Sequence, residues 1–330
     1  MKPYYIIAFL AVVTSCGARD SQTAPSQTER QEVARTIVYK PVPRVAVAGE
    51  PLQVETMSEY ARELGVPAAA LAIFMDGELV HTEFKGDNIG PNSLFQGASL
   101  AKSVASATIA TLARREGISL DEDVARYITS FDLTGLEGYQ APVTLRELLS
   151  HTSQADVEGF PGYPQSAELP TNLEVILGSE KSNTKRVAFS RPEGKWFYSG
   201  GGYQIAQAFA EDVSGKPFAQ LARELVFEPL GMSRSSFNQS LDPETVKPLI
   251  PVRGFENRGP VAGGWHNYPE LATAGLWTTA EDYGKFIVAV MAAADGEENS
   301  GIAPEVATQM LTVAGHPNPI RGYGLGLEYY

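Results

Sequence analysis

Cysteine is nearly absent from these 330 residues: the one example, Cys16, excludes an internal disulfide and leaves stability to packing alone. Histidine is almost as scarce. His81, His151, His266 and His316 are scattered without the spacing of a metal site. Positive charge is also short, with 26 lysines and arginines against 39 acidic residues, and the resulting formal charge of −13 repels phosphate backbones and excludes nucleic acid as a natural partner. No glycine-rich phosphate loop follows a strand-like run, so no cofactor is implied, and Trp196, Trp265 and Trp277 read as core or pocket-wall aromatics. The apolar run from Ile6 to Val13 is too short for a membrane-spanning helix.

What is present describes an ordinary folded chain, 43% hydrophobic and 20% charged, with enough apolar side chains for a sizeable core. Lys2, the apolar run and the small residues after it predict an export signal over residues 1–15. The tetrapeptide Val13-Thr14-Ser15-Cys16 resembles the lipobox of bacterial lipoproteins, which implies cleavage before Cys16, its lipidation, and a membrane-anchored place in the bacterial cell envelope, on the periplasmic or extracellular face. A plain secretory signal with an incidental cysteine is the alternative, and it too takes the protein out of the cytoplasm. Residues 16–50 are rich in Ser, Thr, Gln, Pro and charge, which suits a flexible tether. The folded domain is expected over 51–330.

Within that domain Leu52, Val54, Met57, Tyr60, Ala61 and Leu64 recur at helical steps and Gly65 supplies a stop. Ala68 to Met75 and Glu78 to Phe84 read as strands joined by Asp76-Gly77, a dipeptide favoured in tight hairpins, and so begin an antiparallel sheet. A nearly uncharged stretch from Ala98 to Leu112, ended by Arg114, Arg115 and Gly117, predicts a buried helix whose one charge is Lys102. Further helices are expected at Thr144 to Leu149, Gly202 to Val213, Pro217 to Val226 and Ala280 to Ala294. Residues 155–195 look loop-rich, and Tyr323 to Tyr330 strand-like. The fold class is therefore α/β in the α+β sense.

Ser99-Leu100-Ala101-Lys102 places a lysine three residues after a serine, so on a helix both side chains leave one face. A serine hydroxyl becomes a useful nucleophile only when a neighbour takes its proton, and a lysine does so only when burial lowers its pKa. The helix start also offers free amides to a developing oxyanion. The same four residues fit a capping serine and a lysine that reaches solvent. Ser182-Asn183-Thr184-Lys185 has the same spacing in a polar stretch and reads as a surface loop.

The setting of the first match, Leu94-Phe95-Gln96-Gly97-Ala98-Ser99-Leu100-Ala101-Lys102-Ser103, resembles the active-serine segment of the serine β-lactamase and penicillin-binding-protein family, which includes class C β-lactamases, D-alanyl-D-alanine carboxypeptidases and related esterases. The resemblance continues through Leu120 to Val124, Val143 to Ser153, Glu228-Pro229-Leu230-Gly231-Met232, Tyr268-Pro269-Glu270 and Ala274 to Thr279. It implies a β-lactamase/transpeptidase-like fold, an antiparallel sheet flanked by helices beside a helical region that carries the serine. It implies catalytic roles for Ser99, Lys102 and Tyr198, the last as a partly ionised phenol that shuttles protons. The family's asparagine two residues after the tyrosine is replaced by Gly200; with Gly201 it is expected to border the substrate, opening space and weakening recognition of an amide. His151, in the segment similar to the family's His-Thr-Ser, is expected to be structural. The family's third motif, Lys-Thr-Gly or His-x-Gly, is missing, which reads as a chain lacking its C-terminal strands. The resemblance implies a serine hydrolase acting through an acyl-enzyme on an ester, D-amino peptide or β-lactam carbonyl, with esterase or carboxypeptidase activity ahead of efficient β-lactamase activity. The alternative is a non-hydrolytic envelope protein that binds cell-wall peptide or partner proteins.

Overall fold

The computed structural model describes residues 9–14, 26, 28, 57–192, 195–241, 247–256, 259–314 and 322–329. Cys16, nearly all of the expected tether and the first part of the helix expected from Leu52 lie outside them. That helix is seen as α1 (Met57–Glu63), and the hairpin follows as β2 (Ala69–Met75) and β3 (Glu78–Lys85). Asp76 and Gly77 turn the chain with φ of 48° and 83°, the doubly left-handed geometry that joins two twisted strands in two residues. The apolar run of the expected export signal forms β1 (Phe9–Thr14), which pairs parallel to β2 from Phe9↔Ala70 to Thr14↔Met75, so the sheet is mixed rather than purely antiparallel.

β2 is covered on both faces, which explains why it reads as a continuous apolar run rather than an alternation. Ala70, Ala72 and Phe74 look toward one cluster with Ala280 and Val288, while Leu71 and Ile73 join Val80 on the other. The small alanines allow a helix to lie close.

After β4 (Ser93–Gln96) and a 3₁₀ turn at Ala98–Leu100 comes the buried helix, α2 (Ala101–Glu116). It ends as its sequence predicts: Gly117 takes a left-handed φ of 69°, its amide caps Ala113 and Arg114 carbonyls, and Arg114 and Arg115 complement the dipole. Around it stand α3 (Leu145–Ser150), α4 (Asn172–Leu177), α5 (Gly200–Ser214), α6 (Phe218–Ala222), α7 (Leu271–Ala274), α8 (Ala280–Ala294) and α9 (Pro304–Leu311). The helix expected through Val226 is split, since after α6 the chain widens into a π turn over Arg223–Phe227. α4 interrupts the expected loop region; Thr171 and Glu174 form a capping box that starts it within a polar stretch.

One large apolar core joins α2, α3, α5 and α6, and α8 bridges it to the sheet. β4 pairs antiparallel with Trp277–Thr278 and parallel with Ile250–Pro251, so the residues just before Ser99 are stitched to those just after α7. The strand-like C-terminal stretch is a small hairpin in which Gly322–Tyr323 pairs with Glu328–Tyr329. No helix among the described residues is long and apolar enough to cross a membrane.

Candidate active site

Three chain segments meet at Ser99. The first is the turn into α2: Gly97 gives its amide to Leu276 O at 2.7 Å, and Ala98 is held at a φ of 44°, a strained value for alanine that lifts the serine out of the core. Ser99 is exposed. Lys102, one turn on, is 1% exposed. Its Nζ donates to Ser99 Oγ at 3.2 Å and to Thr273 O at 3.0 Å. Burial alone pushes its pKa down from 10.5 to about 7, because the charged amine has lost its water. The lysine of the polar look-alike has a different fate: Lys185 pairs with Asp156.

The second segment brings Tyr198, whose hydroxyl donates to Ser99 Oγ at 2.8 Å. Its ring lies beneath the lysine, with Nζ 4.8 Å from the ring centre. Burial raises its pKa, the Ser99 hydrogen bond opposes this, and the charges of Glu158 and Glu328 raise it further. The expected partly ionised phenol is therefore corrected. In the structure the Tyr198 hydroxyl is the donor to Ser99 Oγ, and burial favours the uncharged form of the Lys102 amine.

His151 sits in a left-handed cap of α3 and holds Tyr198 rather than Ser99. Ser199 N donates to its Nδ1 at 3.0 Å, so the ring hydrogen is on Nε2, 2.9 Å from Tyr323 OH. Its ring packs 4.4 Å from that of Tyr198, and burial together with the Lys102 charge lowers its pKa well below 6.5. A neutral, fully partnered imidazole of this kind orients a neighbour.

The third segment is α7. Thr273 presents its carbonyl to Lys102 while its hydroxyl accepts from Gln204 Nε2 at 2.5 Å and donates to Gly200 O at 3.1 Å, tying α7 to the start of α5. Sequence reasoning missed Thr273 because its contribution to the site is a main-chain oxygen, which no side-chain pattern announces. Glu270, which the sequence marked only as part of the family-like segment Tyr268-Pro269-Glu270, stands at the start of α7 fully buried, with no hydrogen-bond partner on either carboxylate oxygen, and burial pushes its pKa from 4.5 to about 7.

Gly200 and Gly201 do not border an opening. Both are buried, and both amides are given to Val157 O, at 2.9 and 3.0 Å. A Cβ on Gly200 would stand 2.9 Å from Phe160 Cε2, and one on Gly201 would meet Asp156 O at 2.4 Å. Phe160 fills the room that a side chain at position 200 would need. Among the described residues no group of three or more His, Cys, Asp or Glu side chains is arranged to hold a metal.

A helical core beside a sheet, with an exposed serine, a dry lysine one turn later and a phenol on the same oxygen, defines a protein of the β-lactamase and penicillin-binding kind. The chain belongs to the beta-lactamase family, whose model, described as Beta-lactamase, matches residues 54–330. It is 28% identical over 163 residues to penicillin-binding protein 4* of Bacillus subtilis, a match covering 47% of this chain and 33% of that protein. It is 25% identical over 197 residues to esterase EstB of Burkholderia gladioli, covering 56% of this chain and 50% of the other. Among solved structures, the octameric penicillin-binding protein homologue from Pyrococcus abyssi superimposes with a TM-score of 0.63 at 25% identity, covering 82% of this chain and 63% of that one. The chain thus spans between a third and two thirds of each of these three proteins.

Proposed function

We propose that this protein is a serine hydrolase that forms an acyl-enzyme on Ser99, with Lys102 as base and Tyr198 as proton carrier. One observation carries the reading: an amine that is 1% exposed lies 3.2 Å from the oxygen of a solvent-facing serine. At neutral pH a good share of that amine is unprotonated, and its lone pair takes the Ser99 proton as Oγ bonds to the substrate carbonyl carbon. As the tetrahedral centre collapses, the leaving group departs with a proton from Tyr198, which recovers one from Lys102. Water then repeats the steps on the acyl-enzyme and releases the acid.

An ester or simple amide fits this site better than a β-lactam, because Phe160 occupies the space beside Gly200 and no side-chain amide is available there. A fluorophosphonate probe and a chromogenic ester test the proposal together. Labelling and turnover are expected in the parent and absent in Ser99→Ala; labelling that persists in Ser99→Ala removes Ser99 from the mechanism. A parent protein that neither labels nor turns over, yet binds cell-wall peptide, favours the non-hydrolytic reading.

We further propose export and lipidation at Cys16, supported by Val13-Thr14-Ser15-Cys16 after the apolar run. Cleavage there removes β1 with the signal. Labelled palmitate should enter the parent and not Cys16→Ser, and equal incorporation in both overturns the assignment.

A further inference from the structure

We infer that Tyr323 is a positioning residue for the reaction at Ser99: its hydroxyl holds the His151 ring in one tautomer and one orientation, and through that ring fixes the phenol of Tyr198 against the serine. The inference rests on the acyl-enzyme reading and adds a residue to that same site.

His151 grips the segment that carries Tyr198 from both sides. Its carbonyl accepts the Phe197 amide at 2.9 Å and its Nδ1 accepts the Ser199 amide at 3.0 Å, so the residues before and after Tyr198 are both tied to it. Its ring also packs on the Tyr198 ring, with centres 4.4 Å apart. An amide gives its hydrogen only to a nitrogen with a free lone pair, so the grip exists only while Nδ1 is bare and the ring hydrogen is on Nε2.

The imidazole is 1% exposed, so that hydrogen needs an acceptor within the protein. Tyr323 OH is the partner, 2.9 Å from Nε2 although 172 residues away along the chain. The rings of Tyr203 and Trp196, with centres 5.4 and 5.6 Å from the imidazole, complete its enclosure. The Tyr203 hydroxyl is itself engaged, donating to Leu149 O at 2.7 Å and meeting Ser106 Oγ at 3.0 Å.

The hairpin that carries Tyr323 is braced on the same elements as the site. Tyr323 O accepts the Ala314 amide at 2.9 Å, and Leu325 N donates to Met310 O of α9 at 3.0 Å. Gly326 N donates to Leu149 O at 3.2 Å, two residues before His151, and lies so close to α2 that a Cβ there would stand 2.5 Å from Lys102 O. A phenol built on this hairpin therefore keeps its place relative to both His151 and Lys102. Without its hydroxyl the Nε2 hydrogen is buried with no acceptor. Relief comes from shifting the ring or moving the hydrogen to Nδ1, and the second breaks the Ser199 bond and loosens Tyr198.

Two variants test this: Tyr323→Phe, which keeps the ring and removes only the oxygen, and His151→Asn, a residue type that tolerates the left-handed φ of 66° found there. Turnover of p-nitrophenyl butyrate is measured, with intact Ser99 sites counted by complete fluorophosphonate labelling so that only folded protein is compared. Tyr323→Phe should lower kcat by about 10- to 100-fold, the scale of a misplaced reacting group, with KM within about twofold of the parent. In the His151→Asn background the same change should cost less than about twofold, because the residue it works through is gone. In spectra of protein carrying nitrogen-15 histidine, the signal that His151→Asn removes should be that of a neutral ring with its hydrogen on Nε2, and Tyr323→Phe should shift it or mix the two tautomers. An unchanged kcat, losses that multiply in the double variant, or a His151 signal indifferent to Tyr323→Phe overturns the inference and leaves the serine mechanism intact. If the parent turns over no ester above the Ser99→Ala background, the hydrolase reading falls instead. The nitrogen spectra then judge the link between Tyr323 and His151 by themselves, a changed signal supporting it and an unchanged one overturning it.

Discussion

Lys102, one turn after Ser99, and Glu270, at the start of α7, are both buried, and their titrations pull stability in opposite directions. Lys102 has a folded pKa of about 7 against 10.5 in the free side chain, so between those values the unfolded chain holds a proton that the folded chain has released, and stability rises with pH across that window. The same shift governs catalysis. The base must be neutral, so kcat/KM for a neutral ester should climb through pH 7 and level off above it, and Lys102→Arg, which keeps the charge and cannot deprotonate, should lose on the order of 10²–10⁴-fold. A pH profile that stays flat between 5 and 9 would discard Lys102 as base. Glu270 shows the reverse: its folded pKa of about 7 lies above the free value of 4.5, so the folded chain keeps a proton that the unfolded chain has lost, and stability falls as pH rises from 4.5 to 7. Both of its oxygens are buried without partners, so ionising it exacts a desolvation cost. Glu270→Gln should therefore be more stable than the parent at pH 8, on the order of 1–3 kcal/mol, with the difference fading by pH 4.5. Urea titrations at the two pH values read this, and an equal gap at both would show that charge is not the cause.

At the scale of elements, the start of α5 is where sequence and structure diverge most. The pairing of Ser99 and Lys102 was legible because a spacing of three helical residues brings the two side chains together and the apolar run keeps the lysine dry, and the Asp76-Gly77 hairpin because its turn chemistry is local. The consequence of Gly200 was not, since the ring that closes its space comes from Phe160, forty residues away and in a stretch without periodicity. α4 was missed for a related reason: it is short, and its signal lies in the capping pair Thr171 and Glu174 rather than in an apolar stripe. This packing separates two adjacent glycines. In Gly200→Ala the new methyl meets the edge of a phenyl ring at 2.9 Å, so the loss should be about 1–3 kcal/mol and should be largely recovered by Phe160→Leu. Gly201→Ala meets the carbonyl oxygen of Asp156 at 2.4 Å, a backbone atom that no side-chain change can move, so it should cost more and resist the same rescue. Thermal unfolding of the four proteins decides between them; equal rescue of both glycines would refute the packing account.

For the whole molecule, the decisive feature is that no single element owns the site. Ser99 belongs to the 3₁₀ turn that leads into α2 and Lys102 to α2 itself, Tyr198 to the approach to α5, and the lysine's carbonyl acceptor to α7, while Ser103 Oγ of α2 meets Tyr283 OH of α8 at 3.1 Å and so links the site to the helix that carries the sheet. α8 in turn lies so close to β2 that a Cβ on Gly284 would stand 2.2 Å from Phe74 Cε2. Forcing a methyl into that contact pushes sheet and helix apart without touching any residue near Ser99. If the fold is one cooperative unit, Gly284→Ala should lower the urea midpoint of tryptophan fluorescence, reported by Trp265 and Trp277 in their edge-on pair, and should lower the midpoint for fluorophosphonate labelling of Ser99 by the same amount. Were labelling to persist at urea concentrations where the fluorescence change is complete, the helical part would be a separate unit that holds the serine and lysine by itself. The sheet would then contribute nothing to the chemistry, and the Ser103–Tyr283 contact would be incidental.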